Sequence, residues 1–413
     1  MHLQNRLEEY AKIIIKKGVN IQKDQKLVIR CPIETAFFGE ICAKAAYEEG
    51  AREVEILWND ENLTRLNYHY MSEENLSKVS KALQTQYEEY RHDNIALLSL
   101  VGQDPALLKE IDASKIKSAS KARSIALKNF NEDMMSDQHQ WCVAGVAVKS
   151  WAKHLFPNLD DEEALDALWD QILTTSRVDE HTLENWEKHL NRLNSLADKL
   201  NRYQFDRLEY KNSLGTEISI GLPENHIWSA ADSKTPKGIP FVPNIPTEEV
   251  FTLPHRDRVN GVVYSTKPFN YGGNIICDFK LRFEDGKVVE FDAKEGRDIL
   301  AKLIDTDEGS KRLGEVALVP YDSPISNTNL LFYNTLYDEN ASCHLAIGKA
   351  YPTCLEGFEG QSKEVLLQRG ANDSLIHEDF MVGSEDLSIV GITKDGRKIT
   401  IFKDGNFDKD FSE

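Results

Sequence analysis

Two histidines and a set of carboxylates placed in apolar runs are the residues of this sequence best suited to chemistry. Glu249 stands in Asn244-Ile245-Pro246-Thr247-Glu248-Glu249-Val250-Phe251-Thr252, and Glu315 in Gly314-Glu315-Val316-Ala317-Leu318-Val319. His344 ends the run Tyr337-Asp338-Glu339-Asn340-Ala341-Ser342-Cys343-His344, Tyr351 follows, and His377-Glu378-Asp379-Phe380 comes last. The runs around Glu249 and Glu315 read as strands. An acid buried there without a partner is costly, so a cation, a base or a strong hydrogen-bond network has to compensate it. His377 and Asp379 are two apart, which in a strand puts both on one face and turns Glu378 away. An imidazole nitrogen beside carboxylate oxygens is a donor set for a divalent metal, and the chemistry such a centre supports is hydrolysis.

Each residue alone also has a plainer reading. An acid can sit at a solvated edge or in a salt bridge; His377 can be a hydrogen-bonded strand histidine and His344 a helix cap. None of the segments is a compact zinc signature such as a histidine pair on one helical turn. His344 reaches the same centre only if its segment folds over the two strands. Glu339, five residues earlier, is either a further member of the site that carries a proton or a solvated acid in a turn. Tyr351 either donates a hydrogen bond to a developing oxyanion or is an ordinary buried tyrosine.

The segments 244–252, 314–319, 335–348 and 377–383 closely resemble the motifs of the aminopeptidase T and aminopeptidase S family of cytosolic two-metal aminopeptidases. The resemblance spans essentially the whole chain and is densest from Gly215 onward. It implies the metal ligands Glu249, Glu315, His344, His377 and Asp379, with Tyr351 as the active-site tyrosine; the choice of Glu249 over Glu248 rests on the motif alone. It further implies two divalent ions per chain, zinc or cobalt before manganese or magnesium. The substrates it implies are peptides with a free amino terminus, and the assembly a homodimer whose active sites open toward an enclosed space. Two other readings stay open: a different metallohydrolase, such as an amidase or phosphoesterase, and a non-enzymatic binding protein. The second is disfavoured, since a scaffold has no need of five polar groups in apolar settings.

The rest of the chain has to position these residues. Its 413 residues suit two domains, and an apolar fraction of 41% with 17 phenylalanines and 6 tryptophans supplies the cores. Asp plus Glu (68) outnumber Lys plus Arg (49), for a formal charge of −19 that argues against nucleic-acid partners. The charged amino-terminal stretch reads as no secretory signal and no apolar run reaches membrane-spanning length, so a cytoplasmic protein without a membrane partner is expected. The 6 cysteines lack closely spaced pairs and read as reduced thiols. Cys343, although next to His344, reads as a packed small side chain.

The fold expected is α/β: an amino-terminal domain of parallel strands and helices over 1–207, then a mixed, strand-rich α+β catalytic domain over 208–413. In the first, an opening helix runs to about Lys17, strands lie at 26–30, 53–57 and 95–100, and helices at 35–49 and 105–116. No strand leads into a glycine-rich phosphate loop, so no nicotinamide cofactor is implied. A strand-like approach near Trp141 leads into a helix near Trp151, and 160–200 is strongly helical, with Trp169 and Trp186 on apolar stripes that read as core. Short strands follow at 208–210, 217–220, 259–264, 275–283 and 287–291, with hairpin chemistry at Asp285-Gly286, a helix at 297–303 and a last hairpin around Asp395-Gly396. Gly272-Gly273 reads as a turn or close-approach point, and 406–413 as a frayed end.

Overall fold

The computed structural model of the chain describes residues 2–271 and 274–412, so the Gly272-Gly273 pair lies outside the described residues. Two compact units are present: Met1–Glu187 with Asp232–Pro246, and Lys188–Ala231 with Thr247–Glu413.

In the first unit β1 (Lys26–Pro32), β2 (Glu53–Asn59), β3 (Ile95–Val101) and β4 (Gln140–Gly145) pair in parallel in the order β2-β1-β3-β4. Asn244–Ile245 adds in parallel beside β4, which is why a segment so late in the chain belongs to this unit. Parallel neighbours need crossovers, and the helices Ala36–Glu48 and Lys81–His92 supply two of them. Tyr87 and Tyr90 of the latter pack on Val28, Ile95 and Leu97, and the inner strands β1 and β3 are buried along most of their length whereas the edge strand β2 is not. The opening helix, Leu3–Ile13, ends in a π turn over Ile14–Gly18, with Val19 N–H donating to Ile14 O at 2.8 Å. The helix expected over 105–116 is displaced. Asp112 accepts from Ser114 N–H and starts the helix at Ala113–Ala126, whereas the Asp104 side chain accepts from Ala106 N–H at 2.8 Å and holds the stretch after Pro105 in turns. Trp169 and Trp186 are core residues, as their stripes indicate.

The second unit is built on antiparallel sheets. The larger includes Arg207–Lys211, Glu217–Gly221, Val259–Tyr264, Asn274–Glu284 and Ser388–Ile392, with Lys287–Glu295 paired to Asn274–Glu284. Asp285 and Gly286 both have positive φ, 47° and 80°, as a tight hairpin turn requires. The smaller sheet holds the candidate site: β5 (Val250–Thr252), β6 (Leu313–Leu318), β7 (His344–Gly348) and β8 (His377–Met381), antiparallel in that order. Alternation along its strands sends Val250, Val316, Leu318, Leu345, Ile347 and Phe380 into the unit's hydrophobic core.

The carboxyl end is ordered where fraying was expected. Asn406–Phe407 pairs with Phe402 and Lys403, and the short helix Lys409–Ser412 turns Phe411 inward against Tyr203 and Phe407. Apolar burial of the two phenylalanines offsets the loss of chain entropy that the acidic composition alone would leave uncompensated. Phe411 is 5% exposed. Phe411→Ala should therefore lower unfolding stability by about 3 kcal/mol, within the range for buried phenylalanines. Denaturant unfolding checks this, and an unchanged midpoint would restore the frayed end.

Candidate metal centre

The face of the β5–β8 sheet turned away from the core carries the five candidate ligands. Glu249 immediately precedes β5, Glu315 lies on β6, His344 begins β7, and His377 and Asp379 share one face of β8. His344 reaches the centre without its segment folding over the strands of Glu249 and Glu315: it begins β7, which pairs with β6 on one side and β8 on the other. The cross-strand partners on this face are small, Ala317 opposite His344 and Ala346 opposite Asp379, so the longer side chains have room to converge. Register slips between Leu313 and Glu315, and Gly314 sits in the slip, where a Cβ would come within 2.4 Å of Lys349 O. Only glycine permits that approach of β6 to the end of β7.

Two groups result, Glu249 with Glu315 and His344, and Glu315 with His377 and Asp379. His344 Nε2 is 3.3 Å from Glu249 Oε2 and 3.5 Å from Glu315 Oε1; His377 Nε2 is 3.5 Å from Glu315 Oε2 and 3.6 Å from Asp379 Oδ1. Most of these separations exceed ordinary hydrogen bonds. They match donor atoms around one small cation, because metal bonds of ~2.0–2.2 Å in a tetrahedron put neighbouring donors ~3.4 Å apart. Glu249 Oε2 and Asp379 Oδ1 are buried with no hydrogen-bond partner among the described residues. Buried orphan carboxylate oxygens facing imidazole nitrogens are what a cation would satisfy, so the residues fit a metal.

The far side of each imidazole is already engaged. His344 Nδ1 donates to Ser342 O at 3.1 Å and His377 Nδ1 to Lys349 O at 2.6 Å, which leaves both Nε2 atoms aimed into the centre. Among the protein's own charges, burial works to lower His377, but Asp379 and Glu315 outweigh it and hold it up to about 10. Burial likewise works to lower His344, but Glu249 and Glu315 override it and hold the imidazole well above its usual range. Asp379 is held down by His377 against its burial, while Glu315 is pushed up by burial. Near neutral pH an incoming cation therefore displaces protons from the imidazoles, and metal affinity rises with pH.

Glu339 lies in the short turn Glu339–Ala341. Burial, then Asp379 and Glu249, push its carboxyl well above the usual range, the state of an acid with a proton to give. Tyr351 sits edge-on to His377 with ring centres 4.9 Å apart and also meets Phe251; burial, Glu315 and Asp379 hold its phenol protonated. Glu248 and Glu249 diverge: the Glu248 carboxylate is 3.8 Å from His189 Nε2, which also donates to Thr247 O at 2.7 Å. Asp338 serves its own turn, accepting from Phe332 N–H and Asn334 N–H. Cys343 is packed, its thiol donating to Val319 O and pushed up to about 12 by burial. Sequence reading missed Asn340, which is fully buried, accepts from Glu248 N–H at 2.8 Å and donates to Leu336 O at 3.0 Å, joining the Glu249 loop to the Glu339 turn. It also missed His189, whose place among Trp186, Leu190 and Leu193 on an apolar stripe was the available signal.

Comparison with known proteins places the chain in a family. The family model described as thermophilic metalloprotease (M29) matches residues 3–407. Aminopeptidase 2 of Geobacillus stearothermophilus is 46% identical over 405 residues, covering 98% of either chain. Aminopeptidase AmpS of Bacillus subtilis is 44% identical over 403 residues, 97% of this chain and 98% of that one. The solved structure of wild-type AmpT from Thermus thermophilus superposes with a TM-score of 0.93 at 37% identity, covering 98% of this chain and 100% of that one. With the match running from the opening helix through the whole β5–β8 sheet, the chain belongs to the thermophilic metalloprotease family M29.

Proposed function

We propose that Glu249, Glu315, His344, His377 and Asp379 hold two divalent ions, with Glu315 shared between them. One observation carries this reading: Glu315 is a member of both groups, one oxygen facing His344 and the other His377. The protein is a metal-dependent aminopeptidase, a hydrolase that releases amino-terminal residues from peptides. The mixed imidazole and carboxylate donors favour zinc or cobalt, with manganese or magnesium as alternatives. In the same reading the metal-binding catalytic domain expected over 208–413 corresponds to the second unit, Lys188–Ala231 with Thr247–Glu413, and the protein is a cytoplasmic homodimer. Among the described residues no helix is long and apolar enough to cross a membrane.

When bound, the ions supply Lewis-acid polarisation and an acidified water. The chain's own groups do the rest. Glu339, buried beside the centre, is the proton carrier of this reading and can pass a proton to the departing amine. The Tyr351 phenol can donate a hydrogen bond to the oxyanion that develops on the scissile carbonyl, while its contact with His377 fixes the ring. The acidic lining attracts the terminal ammonium of the substrate.

Glu315→Gln should cut the affinity for both ions by about 100-fold or more, whereas Glu249→Gln should weaken one. Metal content by mass spectrometry after dialysis distinguishes the two; full double occupancy of Glu315→Gln protein would remove the shared carboxylate. With metal-loaded protein, peptides should lose residues singly from a free amino end, acetylation of that end should nearly abolish turnover, and amidation of the carboxyl end should matter little. Equal cleavage of free and acetylated peptides would refute an exopeptidase. Light scattering should find a dimer at dilute concentration; a fully active monomer would remove the assembly from this reading.

A further inference from the structure

The strand that carries two of the five candidate ligands is also the edge of its sheet. β8 pairs with β7 on one side and, among the described residues, with no strand on the other. Its hydrogen-bond phase is set at both ends, where Val382 N–H donates to Cys343 O at 2.8 Å and Lys349 N–H donates to Ile376 O at 2.7 Å. In an antiparallel ladder the residues alternate, so 376, 378, 380 and 382 bond toward β7, and 377, 379 and 381 turn their main-chain groups to the open side. That side is closed at one end by Thr266, whose N–H donates to Met381 O at 2.9 Å. Just before the strand, Leu375 N–H is taken by Asp307 Oδ2 at 2.7 Å. Between these closures, the main-chain N–H and C=O groups of His377 and Asp379 have no partner among the described residues, and both residues are partly exposed.

We propose that this two-residue window is the main-chain subsite of the peptide substrate, and that an extended peptide adds to β8 as a further strand. The inference rests on the aminopeptidase reading. A paired strand lies ~4.8 Å from its neighbour, so a peptide held here runs within side-chain reach of the centre built on His377 and Asp379. Recognition by strand addition takes its affinity from peptide groups, which every peptide offers, and leaves side chains to weaker selection. On the amino side of the scissile bond an aminopeptidase substrate has a single residue, so the peptide units available for pairing are those just beyond that bond. The closures by Thr266 and Asp307 limit how many can pair.

The test uses metal-loaded full-length protein and pentapeptide amides in which one of the three main-chain amides beyond the scissile bond is replaced by an ester. This removes an N–H donor and weakens the carbonyl acceptor with little change of shape. An aminoacyl p-nitroanilide, which has no peptide beyond the cleaved bond, is the control, and mass spectrometry separates amino-terminal release from cleavage of the ester. The ester should reduce kcat/KM roughly tenfold at the first or second link beyond the scissile bond, about one hydrogen bond, and have no effect at the third. Nitroanilide turnover with a flat ester series would overturn the subsite and leave the aminopeptidase reading standing. A loss at the third link would refute the two-residue limit, and failure to hydrolyse either nitroanilide or unmodified peptide would take down both.

Discussion

Mutual compensation of charge on one face of a small sheet is the constraint to which the rest of the second unit answers. Glu249, Glu315 and Asp379 are acids largely withdrawn from water, and burying an anion is affordable only with positive charge or donors at hand. Two imidazoles meet part of that need, and the orphaned oxygens of Glu249 and Asp379 mark what is left over for a cation. Strand alternation makes the arrangement possible: residues that alternate with the ligands are apolar and enter the core, so packing the core also fixes the ligands. A slip of β8 by one residue would put Phe380 among the carboxylates and His377 in the core. The register is thus held by hydrophobic burial, and the metal face inherits its precision from the opposite face.

The supports around the imidazoles are made of backbone. Ser342 O and Lys349 O orient the two rings, and the close approach at Gly314 lets β6 run against the carbonyls at the end of β7. Carbonyl acceptors belong to every residue, so nothing in the side-chain sequence marks them. Asn340 is different in kind, since its amide uses both ends to connect two loops, and a buried amide so satisfied is a rigid joint.

This contrast explains how much could be read beforehand. The α/β order of the first unit, the strand-rich second part and the Asp285-Gly286 hairpin follow from local periodicity and turn chemistry, which are written in neighbouring residues. The pairing of His377 and Asp379 on one face follows from strand geometry as well. The place of His344 was left open because its position depends on which strands pair, a long-range matter that a segment cannot encode by itself. Asp112 rather than Pro105 starts its helix through a cap, and composition favoured the wrong one. The carboxyl end was judged by its acids, whereas Phe407 and Phe411 decide its structure through partners far away in sequence, Tyr203 among them. Glu248 and Glu249 are chemically identical neighbours; only the fold separates them, one toward His189 and the other toward His344.

An edge strand that carries candidate metal ligands has two demands to reconcile. Left long and open, it invites pairing with other chains; fully covered, it would deny a peptide access to the ligands. In β8 the open stretch is confined to His377 and Asp379, with Thr266 and Asp307 occupying main-chain groups on either side. A window so short pairs too few residues to hold a stable foreign strand by itself, since each net hydrogen bond contributes only ~1 kcal/mol. It becomes a useful site only when the metal centre adds its own attraction for a carbonyl and an amino end. Selectivity for a chain terminus over a passing strand then follows from the combination: main-chain pairing supplies orientation, and the charged centre supplies the affinity that the truncated edge withholds.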